Sequence, residues 1–191
     1  MSPARRDTDH PDQTSDTDSL ATDYPQTVVD ASTGASITFL ERGTDERGSF
    51  LVMDGVLPPG VDSGPARIHP RAEALSEVVE GRAVVTVRGE ETVLLPGDSV
   101  VIGAGASHTI RNGDDESLVV RTTLRPPGEF ESAIRRLYSL GAGGRPELLG
   151  VATVLYDHRD DVRIAAVPWW VQRPMLGLLA SVAQVLGRGR S

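Results

Sequence analysis

The sequence contains no cysteine, which excludes a disulfide framework, a zinc ribbon and a thiol nucleophile. It contains no lysine either, so all 19 cationic side chains are arginines, and a Schiff-base or lysine nucleophile is excluded. No apolar run reaches the roughly 18 residues of a membrane span. The first 30 residues lack the apolar stretch of a signal peptide. We therefore expect a cytoplasmic protein without a membrane span.

Positive charge is also scarce: the 191 residues carry a formal net charge of −8. Residues 1–30 hold two arginines and seven aspartates, a net −5. Their remaining positions are mostly Ser, Thr and Pro, which cannot bury enough apolar area to offset the entropy of ordering. We predict a disordered acidic tail over 1–30. The negative balance argues against a nucleic-acid partner.

Residues 31–125 consist of short β-type runs separated by turns such as Pro96-Gly97-Asp98. Their number and spacing predict an antiparallel barrel or sandwich with no helix inside it. The predicted strands are Ser36–Glu41, Ser49–Leu57, Ala66–His69, Ala74–Glu80, Ala83–Arg88, Glu91–Leu95, Ser99–Ile102, His108–Arg111 and Ser117–Leu124.

Residues 126–191 change to helical periodicity and form a predicted C-terminal helical extension. The predicted helices are Glu129–Leu140, Glu147–Tyr156 and Pro174–Leu186, with Pro174 near the first helical position. Trp169 and Trp170 precede the third helix. We interpret this region as packing on the barrel or forming a homodimer interface, with peripheral membrane contact as the alternative.

A motif of the β region carries a family resemblance. It comprises Gly97-Asp98, Gly103-Ala104-Gly105, His108 and Asn112. These residues have the spacing of the second sequence motif of the cupin superfamily, with Gly103 in place of the motif's proline. The resemblance implies a jelly-roll β-barrel with His108 inside it.

A second segment is similar to the first cupin motif, His-x-His followed by Glu and then Gly. His69 matches the second histidine and Gly81 follows twelve residues later, as the motif requires. Arg67 occupies the position of the first histidine, and Ala74 that of the glutamate. Glu73 lies one position early. Because a strand alternates its faces, this shift should turn Glu73 away from the site.

In metal-binding cupins, three histidines and one glutamate hold a transition metal such as iron, manganese, nickel or zinc. The resemblance leaves only His69 and His108 here, with Glu73 as a third ligand if it turns inward. Arg67 should share the face of His69 and would repel a divalent ion. We therefore expect no metal cofactor. Metal binding by His69, His108 and Glu73 is the alternative.

Without a metal, the Arg67 guanidinium is suited to bind a carboxylate or phosphate through two parallel hydrogen bonds. We therefore predict that Arg67, His69 and His108 bind a small anionic molecule in the barrel, without assigning catalysis. A metal-dependent oxygenase, isomerase or cyclase is the alternative function. Purely structural roles for the three residues, such as pairing of Arg67 with Glu73, remain open.

Three further side chains receive non-catalytic interpretations. His158 lies in a charged turn and should be solvated. Glu129 and Glu131 fall in the first turn of a predicted helix, where the helix dipole favours carboxylates.

Overall fold

Eleven strands and three helices make up the described part of the chain. The computed structural model describes residues 23–140 and 148–185. The strands are β1 Gln26–Val29, β2 Ser36–Asp45, β3 Gly48–Leu57, β4 Arg67–Ile68, β5 Glu73–Glu80, β6 Ala83–Val87, β7 Glu90–Leu94, β8 Ser99–Ile102, β9 Ser107–Asn112, β10 Leu118–Arg125 and β11 Arg163–Ile164. The helices are α1 Phe130–Leu140, α2 Leu148–Asp157 and α3 Trp169–Val185.

The strands form two antiparallel sheets that face each other as a jelly-roll barrel. One sheet has the order β1-β2-β3-β10-β5-β8 and the other β11-β4-β9-β6-β7. Alternation along β5 shows which side chains face the core. Ala74, Ser76 and Val78 are buried, and the residues between them are exposed. The predicted all-β core with C-terminal helices is confirmed.

The core between the sheets is built from two clusters of buried side chains. One contains Val78, Val85, Ile110 and Leu118, and the other contains Phe39, Leu51, Leu124 and Phe130. Phe130 belongs to α1, so the first helix completes the second cluster. Residues beyond the β region are therefore part of the barrel's packing.

The N-terminal boundary of the ordered region needs correction. We expected a disordered tail to residue 30, but Gln26–Val29 form β1, which pairs antiparallel with β2. Thr and Val at these positions suit an edge strand, and Tyr24 anchors the segment by donating a hydrogen bond to Glu131 Oε2 at 2.7 Å. The rest of the predicted tail, residues 1–22, lies outside the described residues.

The third helix begins earlier than expected. It begins at Trp169, where the Pro168 carbonyl accepts hydrogen bonds from Val171 and Gln172. Pro174 therefore lies inside the helix, where it cannot donate to the carbonyl of Trp170. Trp170 is exposed, so water can satisfy that carbonyl. The predicted end at Leu186 lies outside the described residues. Among the helices of 23–140 and 148–185, none is both long and apolar enough to cross a membrane.

The C-terminal part is not purely helical, because β11 joins the barrel. Arg163 and Ile164 pair with Ile68 and Arg67 of β4, and the Ala165 amide donates to the Ala66 carbonyl. A two-residue strand carries no periodicity, so no sequence pattern indicates it. Its pairing holds the C-terminal part against β4.

Candidate functional site

Strands β4 and β9 bring the predicted site residues together. Arg67 and His108 are register partners in this antiparallel pair, and His69 follows β4 directly. The turn at Gly103–Gly105, which precedes β9, holds the backbone of His69 in place. The Gly105 amide donates a hydrogen bond to the His69 carbonyl at 2.8 Å. Gly105 has φ of +77°, a conformation that favours glycine.

The two imidazoles are buried neighbours, with ring centroids 5.0 Å apart. His69 Nδ1 is 2.9 Å from the Asp161 carbonyl oxygen, and His108 Nδ1 is 3.2 Å from that of Ala106. A carbonyl only accepts, so each Nδ1 carries the proton and donates it. In the neutral rings, each Nε2 therefore keeps a free lone pair.

Both rings stay neutral at physiological pH. Burial and then the Arg67 charge lower the pKa of His69 to about 4. Burial, Arg67 and His69, in that order, lower the pKa of His108 to about 3. The site therefore presents one fixed cation, Arg67, beside two neutral imidazoles.

Arg67 is a partly buried guanidinium whose hydrogen bonds go to neutral groups. Its Nη1 donates to the carbonyl and the hydroxyl oxygens of Ser63, each at 2.9 Å. Within the described residues, no carboxylate lies within 4.0 Å of it. Burial lowers the Arg67 pKa, with weaker opposing influences from Tyr138 and Asp62. The alternative role of Arg67, pairing with Glu73, is not observed, because Glu73 pairs with Arg47.

Residues of the C-terminal part contact the site. The Phe130 ring meets the His69 ring edge-to-face at 5.2 Å, and the Asp161 carbonyl accepts the His69 proton. Burial raises the Tyr138 pKa, and the neighbouring Arg67 opposes this rise. These three residues, and Ser63, were missed from the sequence because no motif includes them. The sequence signal that could have found Phe130 is the helical spacing of apolar residues in α1, which predicts that Phe130 is buried.

Glu73 does not join the site. It lies on the exposed face of β5, where its side chain is 49% exposed and pairs with Arg47 at 3.9 Å. Ala74 and Ser76 hold the neighbouring inward positions, and the Ser76 hydroxyl bonds that of Thr122 at 3.0 Å. The alternation expected from the sequence therefore separates Glu73 from the two histidines.

Asn112 and Gly81 of the motifs have structural roles. The Asn112 amide nitrogen donates to the carbonyls of Leu57 and Glu116, and its oxygen accepts from the Asp114 amide. Gly81 has φ of +81°, and a Cβ there would lie 2.8 Å from the Ser117 carbonyl oxygen. Both residues shape the barrel and do not touch the histidines.

The donor set does not fit a transition metal. Over residues 23–140 and 148–185, no group of three or more His, Asp or Glu side chains is placed to hold an ion. Two imidazoles fall short of the three protein ligands usual in catalytic sites. The Arg67 charge adds repulsion.

His158 differs from its expected solvated state. It is buried, and its Nε2 has no hydrogen-bond partner within residues 23–140 and 148–185. It directly follows α2, and its carbonyl accepts hydrogen bonds from the amides of Asp161 and Val162. The burial of the ring depends on tertiary packing, which a local charged sequence does not reveal.

Two cavities of the described region are lined by residues other than the two histidines. One, of about 220 Å³, is lined by Arg71, Ala72, Leu124, Pro126, Pro127, Gly128, Asp160 and Asp161. The other, of about 600 Å³, lies between α2 and α3. Neither includes Arg67, His69 or His108.

Comparisons with known proteins agree with the two-sheet barrel and its cupin motifs. A family model described as a cupin domain matches residues 53–124. A β-D-galactosidase of Mycobacterium tuberculosis is 38% identical over 87 residues, covering 46% of this chain and 72% of that protein. The HTH-type transcriptional regulator PuuR of Escherichia coli is 29% identical over 97 residues, covering 47% of this chain. This chain spans about half the length of that regulator, 51%.

Among solved structures, an RmlC-like cupin from Shewanella frigidimarina is 23% identical with a TM-score of 0.47, covering 55% of this chain and 86% of that one. The motifs, the two-sheet barrel and the family match identify the class. The chain belongs to the cupin superfamily.

Proposed function

We propose that the barrel binds a small molecule with an anionic group and at least one hydroxyl group, at Arg67, His69 and His108, without a metal. The single observation that carries the proposal is the electrostatic state of Arg67. It is a partly buried cation with no carboxylate partner among the described residues, and burial lowers its pKa.

A cation withdrawn from water is costly unless a counter-charge compensates it. Ser63 occupies only Nη1 of the guanidinium, which leaves the other donors for a ligand. A carboxylate or phosphate can accept hydrogen bonds from these donors and compensates the positive charge of Arg67. The anionic group of the ligand therefore belongs at Arg67.

The imidazoles define the rest of the ligand. Each offers an Nε2 lone pair, which accepts a hydrogen bond and repels a second anionic oxygen. A ligand hydroxyl donates to such an atom. Hydroxy acids, sugar acids and sugar phosphates combine both groups.

The related β-D-galactosidase, as its name states, acts on a galactoside, which supports a polyhydroxylated ligand. Glycoside hydrolysis ordinarily uses two carboxyl groups that flank the bond. The inward positions of β5 carry Ala74 and Ser76, and Glu73 faces outward. We therefore propose binding and assign no hydrolysis.

The test is calorimetric titration of the full chain with gluconate, a sugar acid, and glucose 6-phosphate, compared with uncharged glucose. At least one anion should bind and glucose should not. Arg67→Gln should weaken binding roughly ten- to hundredfold, because a charge-assisted contact contributes about 1.5–3 kcal/mol. Arg111→Gln is the matched control, since Arg111 is an exposed residue of the same β9 that carries His108.

Two results would contradict the proposal. One is equal affinity of the Arg67→Gln and Arg111→Gln variants for the bound anion. The other is stoichiometric iron, manganese, nickel or zinc in the purified protein that is lost in a His69→Ala, His108→Ala variant. The second result would favour the alternative function, a metal-dependent cupin enzyme.

A further inference from the structure

Helix α3 is apolar on two opposite faces. Leu176, Ala180 and Ala183 are buried in the protein, and the buried Gln172 side chain donates to the Ile164 and Val167 carbonyls. This is the face that attaches the helix to the molecule.

The opposite face of α3 carries a continuous stripe of exposed apolar side chains. Spacings of three or four residues place them on one side of the helix. Trp170 is 78% exposed, Leu178 67% and Val185 87%. The full stripe is Trp170, Pro174, Leu178, Val182 and Val185. Such a contiguous patch indicates a contact surface.

The segment of the sequence that contains this stripe carries charge of one sign. Residues 162–191 contain four arginines and no Asp or Glu, a net +4. The first 161 residues hold the other 15 arginines and all 27 carboxylates, a net −12. Arg173 is exposed beside the stripe, and Arg163 stacks 4.0 Å above the Trp169 ring.

A groove adjoins the stripe. Its lining is Tyr156, Trp169, Trp170, Arg173, Pro174 and Gly177, and its volume is about 600 Å³. It therefore combines aromatic walls with a cation. Tryptophan beside arginine suits the boundary between lipid headgroups and acyl chains.

We propose that the exposed face of α3 docks on an anionic lipid surface. The apolar stripe enters the boundary region, and Arg173 contacts the headgroups. Charge complementarity favours this partner over a second copy of the chain. A two-fold contact along α3 would bring two net-positive segments together, because such an interface uses the same patch on both subunits.

The test is co-sedimentation of the full chain with phosphatidylcholine vesicles, with and without an equal part of phosphatidylglycerol. Tryptophan emission provides a second readout, because Trp169 and Trp170 are the two tryptophans of the chain. We expect binding and a blue shift with the mixed vesicles alone, and release at high salt.

Trp170→Ser should weaken binding roughly tenfold or more, since it removes a large apolar side chain from the contact. Arg173→Gln should weaken it about fivefold. Leu75→Ser is the control and should bind like the native protein, because Leu75 is an exposed apolar residue of β5, outside α3. Leu178→Ser serves as a second stripe variant if Trp170→Ser does not fold.

Two results would overturn the proposal. The first is absence of binding by the native chain, or equal binding by native protein and the stripe variants. The second is a native dimer that Trp170→Ser dissociates, together with no vesicle binding, which would assign the face to a second copy.

Discussion

His69 Nδ1 donates a hydrogen bond to the carbonyl oxygen of Asp161 at 2.9 Å, across 92 positions of the chain. This contact connects a residue of the barrel motif to the loop between α2 and β11. It fixes the His69 tautomer from outside the region that resembles a cupin. The C-terminal part is therefore a component of the candidate site.

The pH dependence of stability should reflect the two neutral histidines. Their folded-state pKa values, about 4 for His69 and about 3 for His108, lie below the ordinary histidine pKa of 6.5. Between those values the unfolded chain binds protons that the native protein does not. Stability should therefore fall as pH drops below 6.5, by up to about 1.4 kcal/mol per pH unit for each ring.

Urea unfolding from pH 7 to pH 5 measures this loss. His69→Gln should flatten the profile relative to the native protein, and NMR of the ring protons should show no titration of His69 or His108 above pH 5. A titration midpoint near pH 6.5 for either ring would contradict the prediction.

Arg67→Met should stabilise the ligand-free protein by about 1 kcal/mol or more, because it removes a partly buried cation that has no carboxylate partner among the described residues. The same change should weaken anion binding roughly ten- to hundredfold, as in Arg67→Gln. Thermal unfolding with and without the anion checks both effects. Ligand-free Arg67→Met that unfolds below the native temperature would show that the Ser63 contacts outweigh the cost of the charge.

Arg67→His should convert the site toward metal binding, since it removes the repelling charge and supplies a third imidazole. Adding Ala74→Glu supplies the remaining ligand type from the inward face of β5. Elemental analysis after incubation with manganese or zinc measures the gain. Equal metal content in Arg67→His and Arg67→Gln would contradict it.

Glu131→Ala should destabilise the fold by about 2–4 kcal/mol. The buried carboxylate accepts from Tyr24 at 2.7 Å and from Arg135 at 2.7 and 3.0 Å, and Arg42 lies 3.7 Å away. Its loss leaves these groups unpaired. Glu129→Ala is the control, because Glu129 is exposed in the same region. Equal unfolding free energies for the two variants would show that the helix dipole alone explains Glu131.

Gln172→Leu should destabilise the C-terminal part by about 1–3 kcal/mol, because it leaves the Ile164 and Val167 carbonyls without their donor. Hydrogen exchange should accelerate in α3 and β11 before the barrel. The exposed Gln184→Leu provides the comparison, and similar exchange in the two variants would contradict the prediction.

Much of the barrel was predictable because its signals are local. Turn residues and alternating apolar residues located β2–β10, with Ser99–Ile102 matching β8 at both ends. The same alternation placed Glu73 outside and Ala74 inside. Strands β1 and β11 were missed, since one lies in a polar segment and the other has two residues. The start of α3 was missed because Pro174 was assigned to the first turn.

The sequence by itself determined the cupin class, the strand order along the chain and the replacement of two of the four metal ligands, by Arg67 and Ala74. These follow from motif spacing and from the two-residue period of a strand. Only the tertiary structure decided the protonation of the histidines, the contacts of Arg67 with Ser63 and the burial of Glu131 and His158. Those properties depend on what packs against each group from distant parts of the chain. A local pattern contains no information about the Asp161 carbonyl or the Phe130 ring that meets His69.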